Sequence, residues 1–162
     1  YAVDSERVWV VGHSNGGFMA YRLACDGAPI SAMVSLAGSE YADESICDGA
    51  PPLHVLQIHG DQDAVIAYAG VASLGPGLGG FPGAEAVVER WARRGGCELT
   101  PETGEPRDLD GQLPGSESDV TRYATGCVVG ASAELWTIRG GGHVPPLVDD
   151  FSEQVVGWLM SR

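Results

Sequence analysis

Apolar residues in this chain recur in two rhythms. Short runs at 7–12, 31–37, 53–59 and 133–139 are rich in Val, Leu, Ile, Trp and Ala, the pattern of strands buried in a sheet. Residues 84–94 instead place Val87, Val88, Trp91 and Ala92 at the three- and four-residue spacing of a helix, and they close on Arg93, Arg94 and Gly95, a favourable C-terminus. Residues 149–160 repeat that spacing with Phe151, Val155, Trp158 and Leu159 behind Asp149 and Asp150. The expected order is strand 7–12, helix 15–25, strand 31–37, strand 53–59, helix 84–94, a variable segment 97–127, strand 133–139 and helix 149–160. Strands alternating with helices predict an α/β fold with a mainly parallel sheet flanked by helices, in a single domain over residues 1–162.

Two stretches fall outside both rhythms. Residues 70–83 are rich in glycine and proline and read either as a plain surface loop or as an entrance lined with Tyr68 and Phe81. Residues 103–119 are acidic and turn-rich, with Asp108, Asp110, Glu117 and Asp119. Their spacing does not match a calcium loop, so the segment reads as solvated.

Composition narrows the class. A chain of 162 residues can bury roughly 70% of its unfolded surface, enough for a core. Its 44% hydrophobic and 19% charged residues suit a globular protein, and no apolar run approaches the roughly 18 residues that suggest a membrane span. Twenty-two acids against nine arginines give a formal charge of −13. That field repels phosphate backbones and anionic lipid, so neither nucleic acid nor a membrane is an expected partner. With no lysine in the chain, Schiff-base chemistry and the P-loop phosphate contact are excluded. The four cysteines form no C-x-x-C and the histidines do not pair at helical intervals, so no metal and no cofactor is expected.

The chemistry concentrates at Gly12-His13-Ser14-Asn15-Gly16, a G-x-S-x-G between a strand pattern and a helix pattern. In that setting the motif predicts a nucleophile elbow, with the Ser14 hydroxyl exposed on a strained turn and Gly12 and Gly16 letting strand and helix pass closely. The competing reading is a glycine-rich turn whose serine caps the helix. A serine nucleophile needs a base, and the base an orienting acid. In folds that use this elbow the partners follow in the order Ser, Asp or Glu, His. Residues 53–59 run into Gly60-Asp61-Gln62-Asp63 and offer the acid, with Asp63 preferred and Asp61 as the turn-holding alternative. Residues 133–139 run into Gly140-Gly141-Gly142-His143 and deliver the base, His143. The other histidines read as structural: His13 packed or bonded locally, His54 at a surface or edge, His59 bonded to the loop after its strand. The backbone N–H of Asn15 is the expected oxyanion donor.

The set Arg7-Val8-Trp9-Val10-Val11-Gly12-His13-Ser14-Asn15-Gly16-Gly17, Leu36-Ala37-Gly38, His59-Gly60-x-x-Asp63 and Gly140-Gly141-Gly142-His143 resembles the polyhydroxybutyrate depolymerase and feruloyl esterase-like family. The resemblance covers nearly the whole chain. It implies a secreted or periplasmic α/β-hydrolase acting on short-chain, polyhydroxyalkanoate, cinnamoyl or acetyl esters. It also implies Ser14 as nucleophile, Asp63 as orienting acid, His143 as base and an ester, small or polymeric, as the partner molecule. Tyr68 and Asn15 are the expected substrate and oxyanion contacts. Four cysteines allow three pairings; the resemblance implies Cys25 with Cys47 and Cys97 with Cys127, against four reduced cysteines in a cytosolic enzyme. Paired cysteines favour an oxidising compartment.

Two departures stand out. Val144-Pro145-Pro146-Leu147 follows His143 where relatives carry threonine and tryptophan. The elbow also arrives within the first fifteen residues, so the chain is expected to be a truncated form of that fold, lacking its N-terminal strands and the loop that carries a second oxyanion donor. Loss of one donor typically costs about 10²–10³ in turnover. Strand 7–12 is then an exposed edge, to be covered by a second copy or another polypeptide. The start at Tyr1 instead of methionine points to a processed or truncated product. The alternative function is a weak or inactive fragment serving as a binding or assembly module.

Overall fold

In a computed structural model the chain is described at residue 2, residues 4–76 and residues 78–162. Tyr1 and Gly77, which entered the readings above, lie outside the described residues.

The strands are β1 (Trp9–His13), β2 (Ala32–Leu36), β3 (His54–Gly60), β4 (Gly70–Gly75), β5 (Leu78–Pro82), β6 (Glu102–Thr103), β7 (Ser118–Tyr123) and β8 (Ser132–Ile138). The helices are α1 (Asn15–Cys25), α2 (Ala84–Arg94) and α3 (Phe151–Met160), with a 3-10 turn at Glu44–Cys47. Among the described residues, one six-stranded sheet runs in the order β1-β2-β3-β8-β7-β6, and β4 and β5 form a separate hairpin.

The sheet is mixed: its larger part is parallel and two antiparallel strands extend one side. β1, β2, β3 and β8 are parallel, with Val11 opposite Val34 and Leu36 opposite Ile58. β7 runs antiparallel to β8, and β6 antiparallel to β7. Both added strands come from the variable segment 97–127. Its acidic part is not simply solvated either: Leu109 and Asp110 are buried, and Glu117 Oε1 accepts the backbone N–H groups of both. The loop expected at residues 70–83 is the β4–β5 hairpin.

Alternation along the parallel strands sorts the core into two layers, because successive side chains point to opposite faces. Met33, Val55 and Leu135 join Tyr21 of α1 and Val88 and Trp91 of α2 on one face. Val34, Leu56 and Trp136 join Val155, Trp158 and Leu159 of α3 on the other. The helix faces are those the apolar spacing predicted. Parallel strands covered on both faces leave their C-terminal ends as the open rim, where β1 leads into Ser14, β3 into the loop that carries Asp63 and β8 into the loop that carries His143.

Disulfides join Cys25 to Cys47 and Cys97 to Cys127. The first ties the end of α1 to the 3-10 turn; the second closes the segment that contains β6 and β7. Among the described residues no helix is long and apolar enough to cross a membrane.

Candidate active site

Ser14 sits between β1 and α1 with φ 54°, a left-handed conformation that L-residues seldom adopt. Its N–H donates to Leu36 O at 2.8 Å, which fixes the elbow to the end of β2. Close packing holds the turn. A Cβ on Gly12 would lie 2.1 Å from Gly16 O, and one on Gly17 would lie 2.5 Å from Ser35 Oγ and 3.0 Å from Gly38 Cα. A Cβ on Gly16 would meet nothing within 4 Å. The glycines required by contact are therefore Gly12 and Gly17, and the expected role of Gly16 in the close approach is corrected. Ser14 occupies the N-cap position of α1, yet its side chain makes no capping bond. The hydroxyl is turned instead toward His143, with Ser14 Oγ 2.9 Å from His143 Nε2.

His143 Nδ1 lies 2.8 Å from Asp63 Oδ2. The Asp63 side chain is fully buried and that of His143 is 14% exposed. Asp63 Oδ1 accepts the N–H groups of Val65 and Ile66, each at 2.8 Å. Burial by itself would raise the Asp63 pKa; the bonds from His143, Ile66 and Val65 outweigh it and hold the carboxyl below its ordinary 3.8. Its two oxygens thus have separate tasks, one gripped by the backbone and one facing the imidazole.

The loops bearing Asp63 and His143 interlock. Gln62 N donates to Gly141 O at 3.0 Å and Asp61 N to Ile138 O at 3.1 Å. A Cβ on Gly60 would lie 2.2 Å from Gly141 O, so only glycine admits this approach. Asp61 Oδ1 accepts Gly140 N–H at 2.8 Å, the turn-holding task weighed for it against a chemical one. Gly140 turns the chain at φ 85°.

Asn15 is exposed as the first residue of α1. Its N–H belongs to the first helical turn, where amides have no intrahelical acceptor and the helix dipole favours negative charge. The Tyr68 ring stands edge-on to His59 at 5.7 Å. Its hydroxyl lies 2.8 Å from Thr137 Oγ1 and donates to Glu85 Oε1 at 3.2 Å, and it lines a cavity of about 470 Å³ with Glu85, Glu89 and Tyr123. A different, apolar cavity of about 440 Å³ lies between α1, the loop after β3 and the hairpin, lined by Phe18, Val65, Ile66, Leu74 and Phe81. Ser14, Asp63 and His143 line neither cavity themselves. The apolar one borders them, since Phe18 N donates to Ser14 O and Val65 and Ile66 hold Asp63.

The remaining histidines divide. His13 Nε2 donates to His143 O at 2.9 Å, a contact across the site and not the local one expected. His54 is half-buried in an inner strand, 2.8 Å from Ser132 Oγ, which corrects its assignment to a surface or edge. His59 is buried and bonds Ile66 O at 2.8 Å, in the loop after its strand. Cys25, Glu40 and Cys47 are spaced as metal ligands would be, but both sulfurs are joined to each other and offer no thiolate.

No family model matches the chain. The chain is similar over most of its length to proteins named as esterases. It is 32% identical over 149 residues to feruloyl esterase B of Piromyces equi, covering 87% of this chain and 25% of that protein. It is 29% identical over 153 residues to putative esterase NocK of Nocardia uniformis subsp. tsuyamanensis, covering 89% of this chain and 44% of that protein. Against feruloyl esterase D of Neurospora crassa the identity is 29% over 145 residues, or 88% of this chain and 42% of that protein. The chain thus spans between a quarter and less than half of the length of these relatives.

Proposed function

We propose that this chain carries the reacting groups of an α/β-hydrolase that cleaves carboxylic esters, with Ser14 as nucleophile, His143 as base and Asp63 as the acid that orients it. The observation that carries this reading is the run of two contacts, 2.9 Å from Ser14 Oγ to His143 Nε2 and 2.8 Å from His143 Nδ1 to Asp63 Oδ2. The esterase names of the relatives support it.

The Ser14 hydroxyl gives its proton to His143 Nε2 as Oγ bonds to the ester carbonyl carbon. The carbonyl oxygen becomes an oxyanion beside the N-terminus of α1, where Asn15 N–H donates to it. The C–O bond to the alcohol then breaks, and the proton on His143 passes to the leaving oxygen. A water molecule repeats the attack on the acyl-serine: His143 takes its proton, the acid is released, and Ser14 recovers its hydrogen. Throughout, the buried Asp63 carboxylate stabilises the imidazolium and keeps Nε2 aimed at Oγ. The apolar cavity beside Phe18 and Phe81 suits the hydrocarbon part of a short-chain, hydroxyalkanoate or cinnamoyl ester. The disulfides fit a secreted or periplasmic setting.

A fluorophosphonate probe should label the protein and lose its target in Ser14→Ala, with turnover of p-nitrophenyl acetate falling by roughly 10⁶ in kcat. Absence of labelling on folded protein overturns the reading. Turnover of p-nitrophenyl esters of graded length, methyl ferulate and a hydroxybutyrate oligomer then ranks the substrates.

A second reading concerns assembly. β1 is the edge of the sheet, Val11 is 57% exposed and Met19 on α1 is 53% exposed. An apolar edge of this kind is a template for a further strand, supplied by a second copy or another polypeptide, and the chain then serves as one piece of an assembly. A monomer at all concentrations in light scattering argues against self-pairing.

A further inference from the structure

His59 is fully enclosed next to the acid and belongs to none of the steps above. Its side chain is 1% exposed, and Nε2 lies 2.8 Å from Ile66 O and 3.3 Å from Asp63 Oδ2. Both are acceptors, so Nε2 must carry the hydrogen. The other nitrogen is settled from the opposite side. Gln57 Oε1 accepts the Tyr21 hydroxyl at 2.9 Å, and Gln57 Nε2 donates to Gly38 O at 2.9 Å, which fixes which end of the amide is nitrogen. The second hydrogen of that nitrogen meets His59 Nδ1 at 2.9 Å, so Nδ1 must accept. His59 is thereby held as one neutral tautomer.

The same ring closes the acid loop. It leaves the end of β3 at residue 59, reaches Ile66 O, and so fixes the two amides, Val65 and Ile66, that grip Asp63 Oδ1. Nε2 also lies 3.3 Å from Asp63 Oδ2, the oxygen that faces His143. The titratable groups around His59 are Asp63, His143 and the Tyr68 ring, which stands edge-on at 5.7 Å. Burial holds the His59 pKa below its ordinary 6.5, which agrees with a neutral ring.

We propose that His59 is a positioning residue for the reaction, a neutral imidazole locked by Gln57 with its hydrogen on Nε2, which aims Asp63 Oδ2 at His143 and braces the loop that holds Asp63. This inference rests on the ester-hydrolase reading for its effect on rate. The placement of the hydrogen stands apart from it.

Two measurements test it. Long-range ¹H–¹⁵N spectra of the wild-type protein at neutral pH should show His59 with a protonated Nε2 and a bare Nδ1; a protonated Nδ1 overturns the proposal, whatever the protein hydrolyses. In kinetics, His59→Leu removes the donor, and His59→Gln restores an N–H near the Nε2 position. Misplacement of about 1 Å costs roughly 10² in rate, so His59→Leu should lower kcat for p-nitrophenyl acetate by about 10- to 100-fold with KM little changed. His59→Gln should recover most of the loss. Wild-type kcat in folded His59→Leu, or equal losses in both variants, overturns the positioning role. Should His59→Leu fail to fold, the wild-type spectrum and His59→Gln alone decide. If the wild-type protein neither labels with fluorophosphonate nor turns over esters, the ester-hydrolase reading fails, and the spectrum still decides the state of His59.

Discussion

Asp63, in the loop after β3 at the rim, and Glu134, in the middle of β8, are both buried carboxylates, and their surroundings differ in kind. Glu134 is 1% exposed and accepts bonds from Arg122, Arg162 and the indole N–H groups of Trp136 and Trp158. Burial works to raise its pKa, and these donors outweigh it and hold it below 4.5. Asp63 is also held low, but its partners are two backbone amides and imidazoles, one of which faces a hydroxyl. A carboxylate saturated by fixed cations has nothing left to exchange and acts as a strut joining β7, β8 and α3. One whose outward partner can gain and lose a proton can assist a reaction. Burial and a depressed pKa are shared by both, so neither marks a site; the identity of the partners does.

The sharpest way to break this contrast is to neutralise each acid in turn. Asp63→Asn should lower kcat for p-nitrophenyl acetate by about 10⁴, since the amide cannot hold the imidazole in its working tautomer. Glu134→Gln should leave kcat per folded molecule unchanged, and equal losses would erase the distinction. Stability should show the reverse order. Glu134→Gln leaves two arginines without their counter-charge and should cost about 3 kcal/mol in urea unfolding. Asp63→Asn should cost less, because the amide oxygen still accepts from Val65 and Ile66.

Acid should then act on the whole molecule by stages. Burial lowers His59, and burial with the Arg162 charge lowers His54, below 6.5. Each ring is neutral in the folded chain where the unfolded chain binds a proton, so stability falls as pH drops through 6.5 toward the folded values. Asp63 and Glu134, held low, add stability above their ordinary 3.8 and 4.5 that is lost as pH falls toward their folded values. Urea midpoints from pH 8 to 3 should fall throughout, with His59→Gln flattening the upper stage. The smallest effect belongs to Trp158→Phe, which removes one donor of several around Glu134 and should cost about 1.5 kcal/mol; a cost as large as that of Glu134→Gln would mean that the partners do not share the load.

Much of this architecture is legible along the chain where one periodicity holds without competition. α2 spans the residues that its apolar spacing indicates, α1 follows the G-x-S-x-G as expected over 15–25, and Ser14, Asp63 and His143 stand at or just past strand ends that glycine marks. What escapes the sequence has identifiable causes. β4 and β5 contain Gly70, Gly75, Gly79, Gly80 and Pro82, whose composition signals a loop. Pairing with each other overrides it. β7 hides because a single large aliphatic, Val120, faces inward beside the small Ser118, leaving too faint an alternation among polar neighbours. The task of Gly17 is invisible locally, for it depends on Ser35 and Gly38 from another strand end. His54 opens its strand and so looks peripheral; parallel pairing on both sides, opposite Ala32 and Ser132, puts it inside. Gln57 and His59, two residues apart on a strand, do share a face, and that spacing was the available sign of their bond.

The interlocked loops at Gly60 and Gly141 make the rim a closed circuit. Gln62 N–H to Gly141 O and Asp61 N–H to Ile138 O tie the loop of Asp63 to that of His143, His13 Nε2–H to His143 O carries the tie on to the end of β1, and Ser14 N–H to Leu36 O fastens the next residue to β2. A substitution at Gly60 or His13 therefore reaches the spacing of Ser14, Asp63 and His143 without touching any of the three side chains.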